Sequence, residues 1–175
     1  MVYLKENAIG IDAEINRYMG YLNDALNVQR NWGIDIYGRI YKERTQDNVL
    51  APYAFVSGKD YKELFLNDRT VGECGFYVDD TRKYDNNISV SCDVIFSVNL
   101  DIIDSGSLQR EDEKVILQAL SAITKYNEVT SIKTGLETVF SGFSTDRIRY
   151  RDMQPFFNFS FTITLIYKKN NCYGL

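Results

Sequence analysis

Residues 155–168 read PFFNFSFTITLIYK, and Phe157, Phe159, Phe161, Ile163, Leu165 and Tyr167 alternate strictly with Asn158, Ser160, Thr162, Thr164, Ile166 and Lys168. Successive side chains of a strand point to opposite sides of a sheet, so this run has one apolar face and one that is almost entirely polar. A helix of period ~3.6 would scatter the same residues around its circumference. A second segment, ISVSCDVIFSVNLDII at 88–103, behaves alike: Val90, Cys92, Val94, Phe96, Val98 and Leu100 face one way, while Ser89, Ser91, Asp93, Ser97 and Asn99 face the other. Two long strands with one apolar face each predict a mostly antiparallel sheet covered on a single side.

The cover comes from two amphipathic segments. Ile11, Ile15, Tyr18, Leu22 and Leu26 recur at helical spacing and predict a helix over residues 11–28, ended near Gly33. A second helix follows Ser107, a candidate N-cap. Glu111, Asp112 and Glu113 sit where the helix dipole favours anions, and Ile116, Leu120 and Ile123 form its core stripe. Between the helices, GIDIYGRIYKER reads as a strand with Ile34, Ile36 and Ile40 on one side and Asp35, Tyr37, Arg39 and Tyr41 on the other. Short strands are expected at 53–56 and 75–78, joined by a segment that reads equally as helix or as strand and loop. Residues 79–87, DDTRKYDNN, have turn composition and read as an exposed loop. The expected fold is α+β, a single domain over 1–175, with one mostly antiparallel sheet and two helices packed on one face.

Composition narrows the function classes. The 20 basic and 24 acidic side chains leave a net charge of −4, which opposes a non-specific grip on nucleic acid or on an anionic membrane. No apolar stretch approaches the ~18 residues that span a bilayer, and no signal peptide is visible. Cys74, Cys92 and Cys172 are widely spaced, and they read as reduced thiols of a cytosolic product. Histidine is absent, which removes the commonest general base and zinc ligand. SGKD at 57–60 lacks both the upstream glycine and the closing Ser/Thr of a phosphate loop, and GECG at 72–75 has no base to activate its cysteine. Asp79 and Asp80, with Asp85 near, could attract a cation, but they lack the pattern of a calcium loop. The sequence therefore predicts no catalytic residue, no metal and no cofactor. What it does offer is contact chemistry: 13 Tyr, 10 Phe and the basic segment RIRYR at 147–151. That segment suits a partner protein or, as the alternative, a single nucleic-acid strand bound by a monomeric accessory module.

The chain resembles the small neck or tail-terminator-type ring proteins of tailed bacteriophages. The likeness runs over residues 8–168 and lies in element order and local phrases: GIDIYGRIYKER, then YAFVSGKDYKELFLNDRTVGECGFYV, then ISVSCDVIFSVNLDII before DEKVILQAL, and finally TGLETVFSGFS before DMQPFFNFSF. The resemblance implies a structural virion protein whose copies form a homo-oligomeric ring of six or twelve at the head–tail junction. Its partners would be portal or connector and tail tube proteins, and DNA would pass through the lumen without specific binding. It would be made in the host bacterial cytoplasm, bind no membrane and end in the virion neck or tail. The expected subunit interface comprises Asp79, Asp80, Arg82 and Tyr84 together with Arg147, Arg149, Tyr150 and Arg151.

Overall fold

The alternating segment is a strand, β8 (Phe156–Lys168), in the computed structural model, which describes residues 1–64, 71–104, 106, 110–148 and 153–168. β8 lies beside β6 (Asn87–Asn99) along its whole length, from Asn87 opposite Lys168 to Asn99 opposite Phe156. Its other edge takes β7 (Val129–Thr134), and β6 pairs in turn with β5 (Gly72–Tyr84). Beyond β5 lie β2 (Asp35–Arg44), β3 (Leu50–Ser57) and β4 (Asp60–Glu63), with β1 (Val2–Tyr3) beside the start of β2. The order across this eight-stranded sheet is β4-β3-β2-β5-β6-β8-β7. Among the described residues, only β1–β2 and β2–β5 run parallel.

Four α-helices occur among the described residues: α1 (Ile11–Leu22), α2 (Leu100–Ile103), α3 (Asp112–Thr124) and α4 (Leu136–Val139). The predicted helix over 11–28 is continuous, but its last turn, Asn23–Val28, is wider than an α-helix. There the Gln29 N–H donates to the carbonyl of Asp24, five residues back, at 3.0 Å. Asn31 and Gly33, at φ 57° and 70°, then turn the chain into β2. Ser107 lies outside the described residues.

The larger core is the one that the alternation predicts. Cys92, Val94 and Phe96 of β6 and Phe157, Phe159 and Phe161 of β8 join Phe76, Ile15, Met19, Leu22, Ile116 and Ile123 in one cluster. Phe96 stacks on Phe159 at 4.9 Å, with Phe161 edge-on to Phe96 at 6.0 Å. Each such buried aromatic removes enough apolar surface to contribute roughly 2–3 kcal/mol against exposure.

A second core corrects the single covered side. Tyr37, Ile40, Ala54 and Ile95 of the opposite sheet face pack with Leu136, Val139 and Phe140 around α4 and with Ile148. Asn158 and Ser160, on the polar face of β8, are consequently buried. β2 departs from its predicted alternation as well. Its register with β5 slips between Ile36 and Arg39, so Ile36 joins the larger core while Ile40 joins the second. One extra residue inverts every side chain after it.

Candidate functional site

Residues 79–84 are strand rather than loop. They continue β5, and β6 begins at Asn87, so only Asp85 and Asn86 form the turn. The local composition is turn-like, but the alternating edge of β6 holds the segment extended, with Arg82 opposite Val90, Lys83 opposite Ser89 and Tyr84 opposite Ile88. What remains of the turn tendency is a bulge between Val78 and Arg82, which absorbs the two aspartates.

The bulge aims Asp79 and Asp80 into a polar hollow of about 260 Å³, shared with Tyr77, Ser91, Asp93, Lys133 and Thr162. Asp93 is the centre of its hydrogen bonding. It accepts from Lys133 Nζ at 2.6 Å and from Thr162 Oγ1 at 2.6 Å. These three side chains stand on β6, β7 and β8, so the ion pair clamps three neighbouring strands. Asp79 accepts from the backbone N–H of Thr81 at 2.8 Å and thereby closes the bulge. Asp93 and Asp79 therefore have structural work, and among the described residues no three Asp, Glu, Cys or His side chains are grouped to hold a metal ion.

On the other face of the same hairpin, Arg82 Nη1 donates to Tyr167 Oη at 3.1 Å, tying β5 to β8 across β6. Tyr84 is 73% exposed beside the turn. Arg147 closes a 3₁₀ turn, Thr145–Arg147, just before the buried Ile148. Arg149, Tyr150 and Arg151 lie outside the described residues. Of the eight expected interface residues, the hairpin gathers Asp79 and Asp80 on one side and turns Arg82 to the other.

Sequence reasoning passed over three features. Asp93 and Thr162 sit in the polar rows of their strands, and with Lys133 each finds its partner on a neighbouring strand, which only the register reveals. Glu73 is 2% exposed and accepts from Lys62 Nζ at 3.1 Å; the same ammonium donates to Tyr37 Oη at 2.9 Å. Burial and the neighbouring Glu73 push the Tyr37 phenol well above its ordinary range. Burial likewise raises the Cys74 and Cys92 thiols, so neither is a poised nucleophile.

The third feature is the pair of sheet edges. β4 pairs only with β3, and β7 only with β8, among the described residues. Tyr61 on β4 is 41% exposed and Ile132 on β7 is 45% exposed. An open groove of about 690 Å³ runs beside β7, lined by Leu120 and Thr124 of α3 and by Val129 and Ile132. No protein-family model matches the chain, and comparison with curated proteins and with solved structures finds no match either.

Proposed function

We propose that this chain is a structural subunit, one domain over 1–175, whose copies close into a ring at the head–tail junction of a tailed phage. In this reading it is a neck or tail-terminator protein seated between portal or connector and tail tube, with DNA passing through the lumen. α1 and α3 pack together on the larger core's side and, among the described residues, neither end of the sheet is covered by a further strand. The observation that carries the reading is that, among the described residues, these two edges carry no further strand and are unlike. Unlike surfaces on one molecule join copies head to tail, and a head-to-tail contact whose rotation closes generates a ring. The net charge of −4 suits a channel past which DNA must slide without sticking.

Native mass spectrometry of the purified chain across concentration, with and without a portal-type partner, tests the reading. A closed ring of six or twelve copies is the expected result, alone or on the partner. A strict monomer in both conditions would sink it and shift attention to nucleic-acid binding by residues 147–151.

A further inference from the structure

We propose that β4 of one copy pairs antiparallel with β7 of the next, with Tyr61 entering the groove between β7 and α3. The inference rests on the ring reading and assigns its subunit contact. Strand direction is the first support. From β4 the sheet runs antiparallel to β3, antiparallel to β2, parallel to β5, then antiparallel to β6, β8 and β7 in turn. β4 and β7 therefore point in opposite directions. A second copy set edge to edge in the same orientation presents its β4 antiparallel to β7, the stabler of the two pairings.

The faces also agree. Tyr61 lies opposite Phe55, which shares a hollow with Asp12 and Ile15 of α1, so Tyr61 stands on the larger core's side. Ile132 lies opposite Phe161, and Val129 packs against that same core. Extending the sheet from copy to copy thus brings an exposed tyrosine over an exposed apolar groove. Tyrosine, with an apolar ring and a wet hydroxyl, is the residue type that anchors such contacts.

With Tyr61 opposite Ile132, Asp60 falls opposite Lys133 and Lys62 opposite Ser131. The acid meets the base on the far side of the sheet, and no like charges are apposed. β7 is little guarded against such pairing. It contains no proline, and its lysine, which pairs with Asp93 at 2.6 Å, would face an acid of the neighbouring copy and not a like charge, leaving the register shift between Val129 and Ser131 as its one irregularity. A four-residue β4 forms few ladder bonds, so the groove must supply much of the contact.

The test uses the full chain and two variants, Ile132→Lys and Tyr61→Lys, in the condition where wild type assembles. Each variant alone is expected to lose the ring while keeping the wild-type circular dichroism spectrum. Mixed in equal amounts, the two should give a dimer and nothing larger, because one intact β4 then meets one intact β7. Rings that persist in either variant would overturn the β4–β7 contact and leave the ring reading standing. Monomers in the mixture would overturn the head-to-tail pairing alone. A wild type that never assembles would remove the ring reading, and this contact with it. Should Tyr61→Lys fail to fold, Asp60→Lys at an exposed position serves instead, and it should raise the concentration for half-assembly about fivefold. No change in that variant would overturn the register.

Discussion

Tyr18 spans the larger core and donates its hydroxyl to the carbonyl of Ile123 at 3.2 Å. Burial pushes its phenol up from 10.0 to about 12, with a bond to Asn127 pulling the other way. The folded value lies above the unfolded one, so this contribution to stability is complete below pH 10 and is lost as pH rises to about 12. Urea midpoints taken at about pH 9 and about pH 11.5 should fall further for wild type than for Tyr18→Phe; equal losses would refute the assignment. Lys62 poses a different problem. Its removal in Lys62→Met takes the ion-pair partner from the Glu73 carboxylate, which is only 2% exposed, and should cost about 2 kcal/mol in urea unfolding at neutral pH. That is less than for a fully buried pair, because 36% of the Lys62 side chain meets solvent. Glu73→Gln keeps the shape and should cost half as much or less. Neither partner stands out in the sequence, since SGKDYKE and GECG are ordinary polar text until β3 and β2 set the spacing between them.

At the level of elements, legibility followed redundancy. β6 and β8 repeat the same alternation six times each, so their shared apolar face was plain. α1 and α3 carried stripes at helical spacing and also formed, although the first widens after Leu22 and the second begins only at Asp112, with Glu111 and not Ser107 in the N-cap position. The second core was hidden because its cover is short: Leu136, Val139, Phe140 and Ile148 come from α4 and a turn, too brief for a period to show. Residues 79–84 misled for the opposite reason, since local turn chemistry lost to pairing with β6. Bulges inverted β2 and re-aimed Asp79 and Asp80, and a single-residue slip leaves no mark in composition. The β5–β6 pair is tight at its base. A Cβ at Gly72 would stand 2.9 Å from the Ser97 carbonyl oxygen and 3.0 Å from the Val98 Cα, backbone that cannot step aside. Gly72→Ala should therefore lower stability by about 1–3 kcal/mol, read from thermal or urea unfolding, and a neutral result would mean the two strands part more readily than their register implies.

For the whole molecule, the sequence specified class and net charge, whereas the order of strands had to come from long-range pairing. The parallel β2–β5 contact at the sheet's middle looks, residue by residue, like any antiparallel one. Head-to-tail assembly carries its own signature. An open chain of copies has one contact fewer than copies, whereas the closed ring has as many contacts as copies, so closure gains a contact without a further association step. Native spectra are then expected to show monomer and closed ring with sparse species between; a broad ladder of open chains would argue against closure.

β8 is the last described strand to be made, yet it lies inside the sheet between β6 and β7. Until residues 156–168 leave the ribosome, β6 keeps one bare edge and β7 has no strand beside it at all. The polypeptide cannot complete its sheet piece by piece as it emerges. Once β7 is made, it must keep β6 and β7 apart until one strand enters the slot between them. A nascent chain stalled before Phe156 would present that slot to any passing strand, which makes the emergence of residues 156–168, more than any single contact, the step that commits this sheet to its fold.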